Sequence, residues 1–342
     1  MSLNPIRFEN NKVYVLDQLL LPHETKEICL QSSEDSFNVI KDMNVRGAPL
    51  IGFTGLYGLA FSVKESNSFD ELSNKLNFLK SARPTAVNLA FEIDSCFELI
   101  KKKFNEFDQN AIYQFALNIA ETKIKKLEED NRSTANFLIK ELQKKYPQKN
   151  KFNILTICNT GRLACGALGT ALGAIVVLKE YNLLNEVYAC ETRPYLQGSR
   201  LTAYEMVKEN INHFIIPDGA ISHVLKKQQI DAVFVGADRI AINGDTANKI
   251  GTSNLGIIAK FYNVPFYVVA PLSSFDFDCP NGESIEIEMR NGEELLKFKG
   301  EWISPIESKG FNPAFDVTDH QFITGVACEK GVFSPNEIRG LI

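Results

Sequence analysis

The amino-acid sequence predicts an α/β protein, with a mainly helical N-terminal domain carrying a short β element and a C-terminal domain built on a parallel sheet. Three observations lead there. From Asn153 onward, short and nearly continuous apolar runs alternate with helical stretches, the pattern of parallel strands covered on both faces. Before that point helical periodicity dominates. Between the two, the polar stretch Pro147-Gln148-Lys149-Asn150-Lys151 marks a change of texture and sets the expected domains at 1–148 and 149–342. A chain of 342 residues also exceeds the usual size of one domain.

Taken in order, Val13 to Leu21 is β-rich and apolar and ends at Pro22. Ser36 to Val45 reads as a helix, with Phe37, Ile40 and Met43 on neighbouring turns. Arg46-Gly47-Ala48-Pro49 interrupts it, and Leu50 to Val63 resumes as a helix rich in small residues. There Gly52, Gly55 and Gly58 recur every third residue. Glycine costs about 1 kcal/mol per helical position, so the spacing predicts a close approach on that face. Arg83-Pro84 opens another helix, because proline suits the first helical turn. Lys101–Lys103 and Lys125–Asp130 read as solvated faces. Strands follow at Asn153–Cys158, Val187–Glu191, His213–Pro217, Ala232–Ala237 and Phe266–Ala270. Helices fit between them at Leu163–Tyr181, Leu201–Val207, Ser222–Gln229 and Ser253–Tyr262. Such a sheet binds ligands beyond the carboxyl ends of its strands.

Composition narrows the function. A net charge of −5, from 37 Lys+Arg against 42 Asp+Glu, offers no general attraction to nucleic acid or an anionic membrane. Positive charge for an anionic substrate must therefore be local. No apolar run approaches the roughly 20 residues of a membrane-spanning helix, and the opening residues lack the apolar region of a secretory signal. Seven scattered cysteines without a CxxC suit reduced thiols, so the cytoplasm is the expected compartment. The four histidines show no ligand spacing, and no G-x-G-x-x-G occurs, so neither a zinc site nor a nicotinamide cofactor is expected.

Several chemically useful groups fall at the strand ends. Cys158 closes an apolar strand, and Asn159-Thr160-Gly161 turns the chain toward a helix, whose dipole can lower a thiol pKa. A buried strand cysteine acting as a small hydrophobe is the competing reading. Asp238 follows Ala232–Ala237, half out of an apolar environment that would raise its pKa and suit it to donate a proton. Capping the next turn, or pairing with Arg239, accounts for it equally well. Arg46 beside Gly47-Ala48, Arg83, and Lys249 after Asn248 are candidate phosphate ligands, and Gln197 a candidate partner for sugar hydroxyls. Taken singly, each basic residue is more simply read as a surface ion-pair partner, and Gln197 equally well as a solvated loop residue.

As an ordered set these segments resemble the methylthioribose-1-phosphate isomerase family. Its superfamily includes the regulatory subunits of a eukaryotic translation-initiation exchange factor. The matching stretches are Arg46–Pro49, Arg83–Leu89, Cys158–Gly161, Gly169–Gly173, Cys190–Pro194, Leu196–Gly198, Val235–Ile240, Ala247–Thr252 and Asn312–Thr318. Their order is far more specific than any one of them. The resemblance implies a Rossmann-like C-terminal domain, a smaller N-terminal domain, no cofactor and a homodimer. It makes Cys158 and Asp238 the catalytic pair and assigns Arg46, Gly47, Ala48, Arg83, Gln197, Asn248 and Lys249 to substrate binding. The implied reaction converts 5-methylthioribose 1-phosphate to 5-methylthioribulose 1-phosphate, a step of methionine salvage.

Two departures from the family pattern stand out. Ile157 precedes Cys158 where relatives often carry histidine, and Arg162 and Cys165 replace small residues just beyond it. Arg162 adds positive charge near the expected site. It thereby keeps ribose 1,5-bisphosphate in view as a substrate. The resemblance itself favours a 5-methylthio group in an apolar pocket, which 5-deoxyribose 1-phosphate would enter as a weaker substrate. A non-catalytic regulatory subunit is the alternative of another class, set against the joint presence of Cys158, Asp238, Arg46, Arg83 and Lys249.

Overall fold

The computed structural model describes residues 3–84 and 87–341, which leaves Thr85 and Ala86 of the Arg83–Leu89 stretch outside the described residues. The chain forms two units, Met1–Glu129 with Gly161–Gly169, and Asp130–Thr160 with Thr170–Ile342.

The first unit opens on a three-stranded antiparallel sheet of β1 (Ile6–Glu9), β2 (Lys12–Leu16) and β3 (Glu27–Leu30). Asn10 and Asn11 both take positive φ, which closes the β1–β2 hairpin as asparagine is able to do. The strand expected over Val13–Leu21 therefore stops at Leu16, and its two partners are too short and too charged to announce themselves. Helix α1 (Ser33–Lys41) begins three residues earlier than expected because Ser32 and Asp35 form a capping box, each side chain accepting the other's backbone N–H at 3.0 Å. It ends before Met43, which is left-handed.

Helix α2 (Ala48–Lys64) is buried continuously from Leu50 to Val63. Its glycine stripe is the close approach that the spacing predicts. A Cβ at Gly52 would stand 3.0 Å from Glu92, and one at Gly55 2.5 Å from Leu89, both on α4 (Val87–Lys103). At Gly58 the neighbours are Leu79 of α3 (Phe69–Lys80) at 2.7 Å and Ser36 of α1 at 2.9 Å. The described part of α4 starts at Val87 rather than at Pro84. The long helix α5 (Gln109–Lys145) has its first residues in this unit and the remainder in the second.

The second unit is built on a seven-stranded sheet. In chain order its parallel strands are β4 (Phe152–Thr156), β5 (Leu184–Cys190), β6 (His213–Ile216), β7 (Ala232–Val235), β10 (Phe266–Val269) and β15 (Gly325–Cys328). The spatial order is β16-β15-β10-β7-β4-β5-β6, where β16 (Gly331–Phe333) is an antiparallel edge. Omitting that edge, this is the order of doubly wound nucleotide-binding sheets, with the direction of winding reversing between β4 and β7. Leu155, Val233, Val235, Phe266 and Val268 pack with Ile221 and Val224 of α9 (Ile221–Lys227) and Leu255 and Ala259 of α10 (Thr252–Phe261). Helix α7 (Ala171–Glu180) lies against β4, β5 and β7, and α8 (Ala203–Lys208) against β6.

Some expected elements change here. Leu163–Tyr181 is not one helix: a single turn, α6 (Arg162–Cys165), stops at left-handed Gly166, and α7 starts only at Ala171. Leu201–Val207 is preceded by a wide turn over Gly198–Thr202. Between β7 and β15 a four-stranded sheet of β8 (Arg239–Ala241), β9 (Thr246–Lys249), β11 (Phe275–Asp276) and β14 (Phe315–Thr318) is added. Its strands are two to four residues long, too short for a periodicity to register. Helix α11 (Glu293–Leu296) and the hairpin β12 (Lys297–Phe298) with β13 (Glu301–Trp302) lie in the segment before β14.

The Arg46–Pro49 turn tolerates no side chain at its second position. Gly47 has φ +90°, and a Cβ there would lie 2.5 Å from Ala164 Cα and overlap the Ala164 carbonyl. We expect Gly47→Ala to cost at least ~2 kcal/mol of stability, from left-handed strain and overpacking together. Gly219→Ala, where nothing lies within 4 Å, should stay within about 0.5 kcal/mol of the parent. Thermal and urea unfolding of both variants checks this; equal stabilities would show that the turn is not strained.

Candidate active site

The second unit brings Cys158, Asp238, Gln197, Asn248 and Lys249 to the carboxyl edge of its sheets. Thr156 of β4 pairs in register with Phe234 of β7 and with Ala189 of β5. Continuing two residues past Thr156 gives Cys158, and three past Val235 gives Asp238. The two groups thus leave neighbouring parallel strands on either side of the winding reversal, the place where such sheets bind ligands. The crevice is narrow: a Cβ on Gly236 would lie 2.6 Å from Thr160 Cγ2, which explains the glycine before Ala237-Asp238.

Cys158 is 8% exposed and left-handed, with φ +67°. Its N–H donates to Thr192 Oγ1 at 2.9 Å, and its carbonyl accepts from Thr202 Oγ1 at 2.6 Å. A left-handed L-residue costs roughly 1–2 kcal/mol, so surrounding bonds must hold it. The expected place of Cys158 at a helix N-terminus is corrected: α6 begins four residues later and is one turn long. Asn159 turns inward, donating to Glu205 Oε1 at 2.8 Å and Thr202 Oγ1 at 3.2 Å.

Asp238 departs from its expected environment. It is exposed, because the buried run of β7 ends at Gly236 and the chain then turns into β8. The Asp238 N–H donates to the Ala247 carbonyl at 2.9 Å, which sets Asp238 beside the β9 residues Asn248 and Lys249. Arg239, its sequence neighbour, pairs with Asp276 at 3.6 Å.

Asn248 is buried and donates to Thr252 Oγ1 at 3.0 Å. Lys249 donates to the Ala314 carbonyl at 2.8 Å and lies 4.1 Å from the Phe315 ring centre. Asp316 of β14 accepts the N–H groups of Gly251 at 2.8 Å and Ser253 at 3.1 Å, closing the start of α10. Burial nonetheless holds the Asp316 carboxyl above its ordinary value. The Ala247–Thr252 and Asn312–Thr318 stretches are therefore two sides of one antiparallel ladder.

Gln197 sits in a folded-back loop after β5. Gly198 and Ser199 N–H both point to the Glu191 carbonyl, and a Cβ on Gly198 would overlap the carbonyl oxygen of Cys190. Gln197 is 6% exposed, and its Oε1 has no hydrogen-bond partner; neither has the buried Tyr195 hydroxyl. A buried acceptor without a donor is unusual, and Gln197 is thus able to accept from a ligand.

The first unit holds Arg46, Gly47, Ala48 and Arg83. Arg46 is 7% exposed, Arg83 half-buried. Gly47 is the N-cap of α2 without any side-chain cap, which leaves that helix start suited to an anion. Arg162 also lies here. It makes a two-pronged pair with Glu128 at 3.2 and 3.4 Å and lines a cavity of about 360 Å³ with Lys125 and Glu129. The Glu128 carboxylate additionally accepts the Leu168 N–H.

Sequence reasoning did not find Thr192, Thr202 or Asp218, whose carboxylate accepts the Thr192 and Arg193 N–H groups at 2.8 and 2.7 Å. Threonine hydroxyls facing backbone leave no spacing signal. Nor did it find the cluster of Asp245, Asp319 and His320, in which His320 Nδ1 lies 2.7 Å from Asp245. Asp245 and His320 are 75 residues apart in the chain.

Comparison with known proteins shows what the chain resembles. Residues 44–335 match the Initiation factor 2 subunit family. The chain is 44% identical to the methylthioribose-1-phosphate isomerase of Caldicellulosiruptor saccharolyticus over 96% of its length and 95% of that protein. Among solved structures it resembles 5-methylthioribose 1-phosphate isomerase from Pyrococcus horikoshii OT3, with TM-score 0.88 and 36% identity, covering 100% of this chain and 95% of that one. It also resembles the translation initiation factor eIF-2B subunit delta from A. fulgidus, with TM-score 0.86 and 35% identity, covering 98% and 97%.

Asp245, in the loop between β8 and β9, carries a pH consequence. Burial raises its pKa, but hydrogen bonds from Asn243, the Gly282 N–H and His320 outweigh it and hold the carboxyl below its ordinary 3.8. A depressed carboxyl contributes stability above the unfolded value and loses it as pH falls through the folded value. Asp245→Asn should therefore lose less stability than the parent between pH 7 and pH 3, read by urea unfolding at both pH values. An equal loss would remove Asp245 from the acid response.

Proposed function

The chain belongs to the Initiation factor 2 subunit family, on its methylthioribose-1-phosphate isomerase branch, and from that premise we infer that it converts 5-methylthioribose 1-phosphate to 5-methylthioribulose 1-phosphate. The observation that carries the reading is the pair Cys158 and Asp238 on neighbouring strand ends at the winding reversal, in a chain that matches isomerases over its whole length.

The chemistry needs such a pair. Phosphate on the anomeric oxygen prevents ring opening by ordinary hemiacetal reversal, so a proton must be delivered to the ring oxygen. Asp238 is that donor. Its carboxyl is exposed at the end of β7, open to the sugar that it would protonate. Cys158 is the group that moves hydrogen from C2 to C1. Arg46, Arg83 and Lys249 hold the phosphate and oppose its elimination. Gly47, Ala48 and Asn248 complete the binding surface, and the unpartnered Gln197 Oε1 accepts from a sugar hydroxyl. In this reading residues 1–148 supply anion-binding groups and residues 149–342 the catalytic pair, no metal or cofactor takes part, and the enzyme works as a cytoplasmic homodimer.

The pairing of Arg162 with Glu128 bears on the substrate. An arginine already engaged by a carboxylate has less to offer a second phosphate, which favours the 5-methylthio sugar over ribose 1,5-bisphosphate. 5-Deoxyribose 1-phosphate follows as the weaker substrate, lacking the thioether. Similarity to the eIF-2B subunit supports a second reading, a non-catalytic regulatory subunit, which would show no turnover.

Purified protein should form ketose from 5-methylthioribose 1-phosphate, and absence of turnover would return the protein to the regulatory reading. Cys158→Ala and Asp238→Asn should each lower kcat by at least roughly 10²-fold with the fold intact. Arg83→Ala should mainly raise KM. A bisphosphate preference that vanishes in Arg162→Ala would reassign the substrate. Sedimentation at micromolar concentration should show a dimer; a lone 38.3 kDa species would exclude it.

A further inference from the structure

We propose that Thr192 and Thr202 are positioning residues that fix the direction of the Cys158 thiol, a role that rests on the reading of Cys158 as the catalytic thiol. The ladder of β4 ends at Thr156, so the backbone groups of Cys158 have no neighbouring strand to bond. Two threonine side chains from the segment after β5 take that place: Thr192 Oγ1 receives the Cys158 N–H at 2.9 Å, and Thr202 Oγ1 donates to the Cys158 carbonyl at 2.6 Å.

The remaining valences of both hydroxyls are also assigned. Thr192 spends its proton on the Cys190 carbonyl at 3.0 Å, so its lone pair faces Cys158. Thr202 accepts from Asn159 Nδ2 at 3.2 Å, and Asn159 is tied in turn to the buried Glu205. Thr192 is itself left-handed, with φ +64°, and Asp218 holds it there by accepting its N–H and that of Arg193. Both threonines are fully buried.

Such a clamp acts on direction. A left-handed residue breaks the strand alternation, so the φ of Cys158 decides where Sγ points. An unclamped Cys158 relaxes toward an ordinary negative φ and carries the thiol away from the reacting carbons. Misplacement of a reacting group by about 1 Å costs on the order of 10²-fold in rate.

The test compares Thr192→Val and Thr202→Val, which keep shape and lose the hydroxyl, with Thr192→Ser and Thr202→Ser, which keep it. We expect kcat to fall roughly 10–10²-fold in the valine variants with KM within about twofold, and the serine variants to recover most of it. Alkylation of Cys158 by iodoacetamide, followed by peptide mass, should change rate in the valine variants alone. That readout reports thiol placement whether or not the thiol is catalytic. Wild-type kcat and alkylation in the valine variants would overturn the proposal, as would a lower melting temperature with unchanged kcat per folded molecule. If a valine variant does not fold, Thr202→Cys, a weaker donor of similar size, should show a graded fall in kcat, and an unchanged kcat would be equally fatal. Cys158→Ala separates the two layers. Full turnover in that variant removes the catalytic assignment of Cys158, while inactivity beside fully active threonine variants removes only the clamp.

Discussion

In a parallel sheet each connection must cross a face, and where successive connections leave in opposite directions the strand ends between them stay uncovered. Here that place lies between β4 and β7. The features of the second unit follow from it. Chain leaving β4 and β7 must turn away at once, which explains the left-handed Cys158, the side-chainless Gly236 against Thr160, and the hydrogen-bonded support that Thr192 and Thr202 give. The added sheet of β8, β9, β11 and β14 extends the same edge and sets Asn248 and Lys249 next to Asp238.

The central strands of the sheet were legible because they are buried on both faces and read as apolar runs; β6, with Phe214 and Ile215 exposed, was legible from its apolar residues alone, and β15 was not read. All five strands read from the sequence overlap observed ones, with ends differing by up to three residues. Legibility failed for short strands that are only partly buried, as in β8, β11 and the flanking strands of the first sheet. It failed also at Gly166, where apolar periodicity runs on through a left-handed break. For the site, the motifs gave the positions of Cys158 and Asp238 but not their surroundings. Exposure of Asp238 depends on where β7 stops, and the partners of Cys158 come from 34 and 44 residues away.

Arg162 shows how a neighbour decides a side chain's meaning. Read along the chain, it is a cation four residues past a candidate thiol. In the fold it belongs to the first unit, where a carboxylate from α5 takes both ends of its guanidinium. The Asn312–Thr318 stretch is a similar case. Its Asp316 ends at backbone N–H groups and its Ala314 carbonyl at Lys249, so the segment supports the Ala247–Thr252 stretch.

Two glycines with unyielding surroundings, Gly47 and Gly198, bear on how losses of activity are interpreted. A methyl group on Gly47 would strike the backbone of Ala164, and one on Gly198 the carbonyl of Cys190. Neither neighbour is a flexible side chain that is able to yield. Glycine at such positions is required by packing before any ligand arrives, so an inactive exchange there reports a displaced strand end or helix start. Contact with substrate has to be argued from residues such as Gln197 or Asn248, whose side chains are removable without pushing on the backbone.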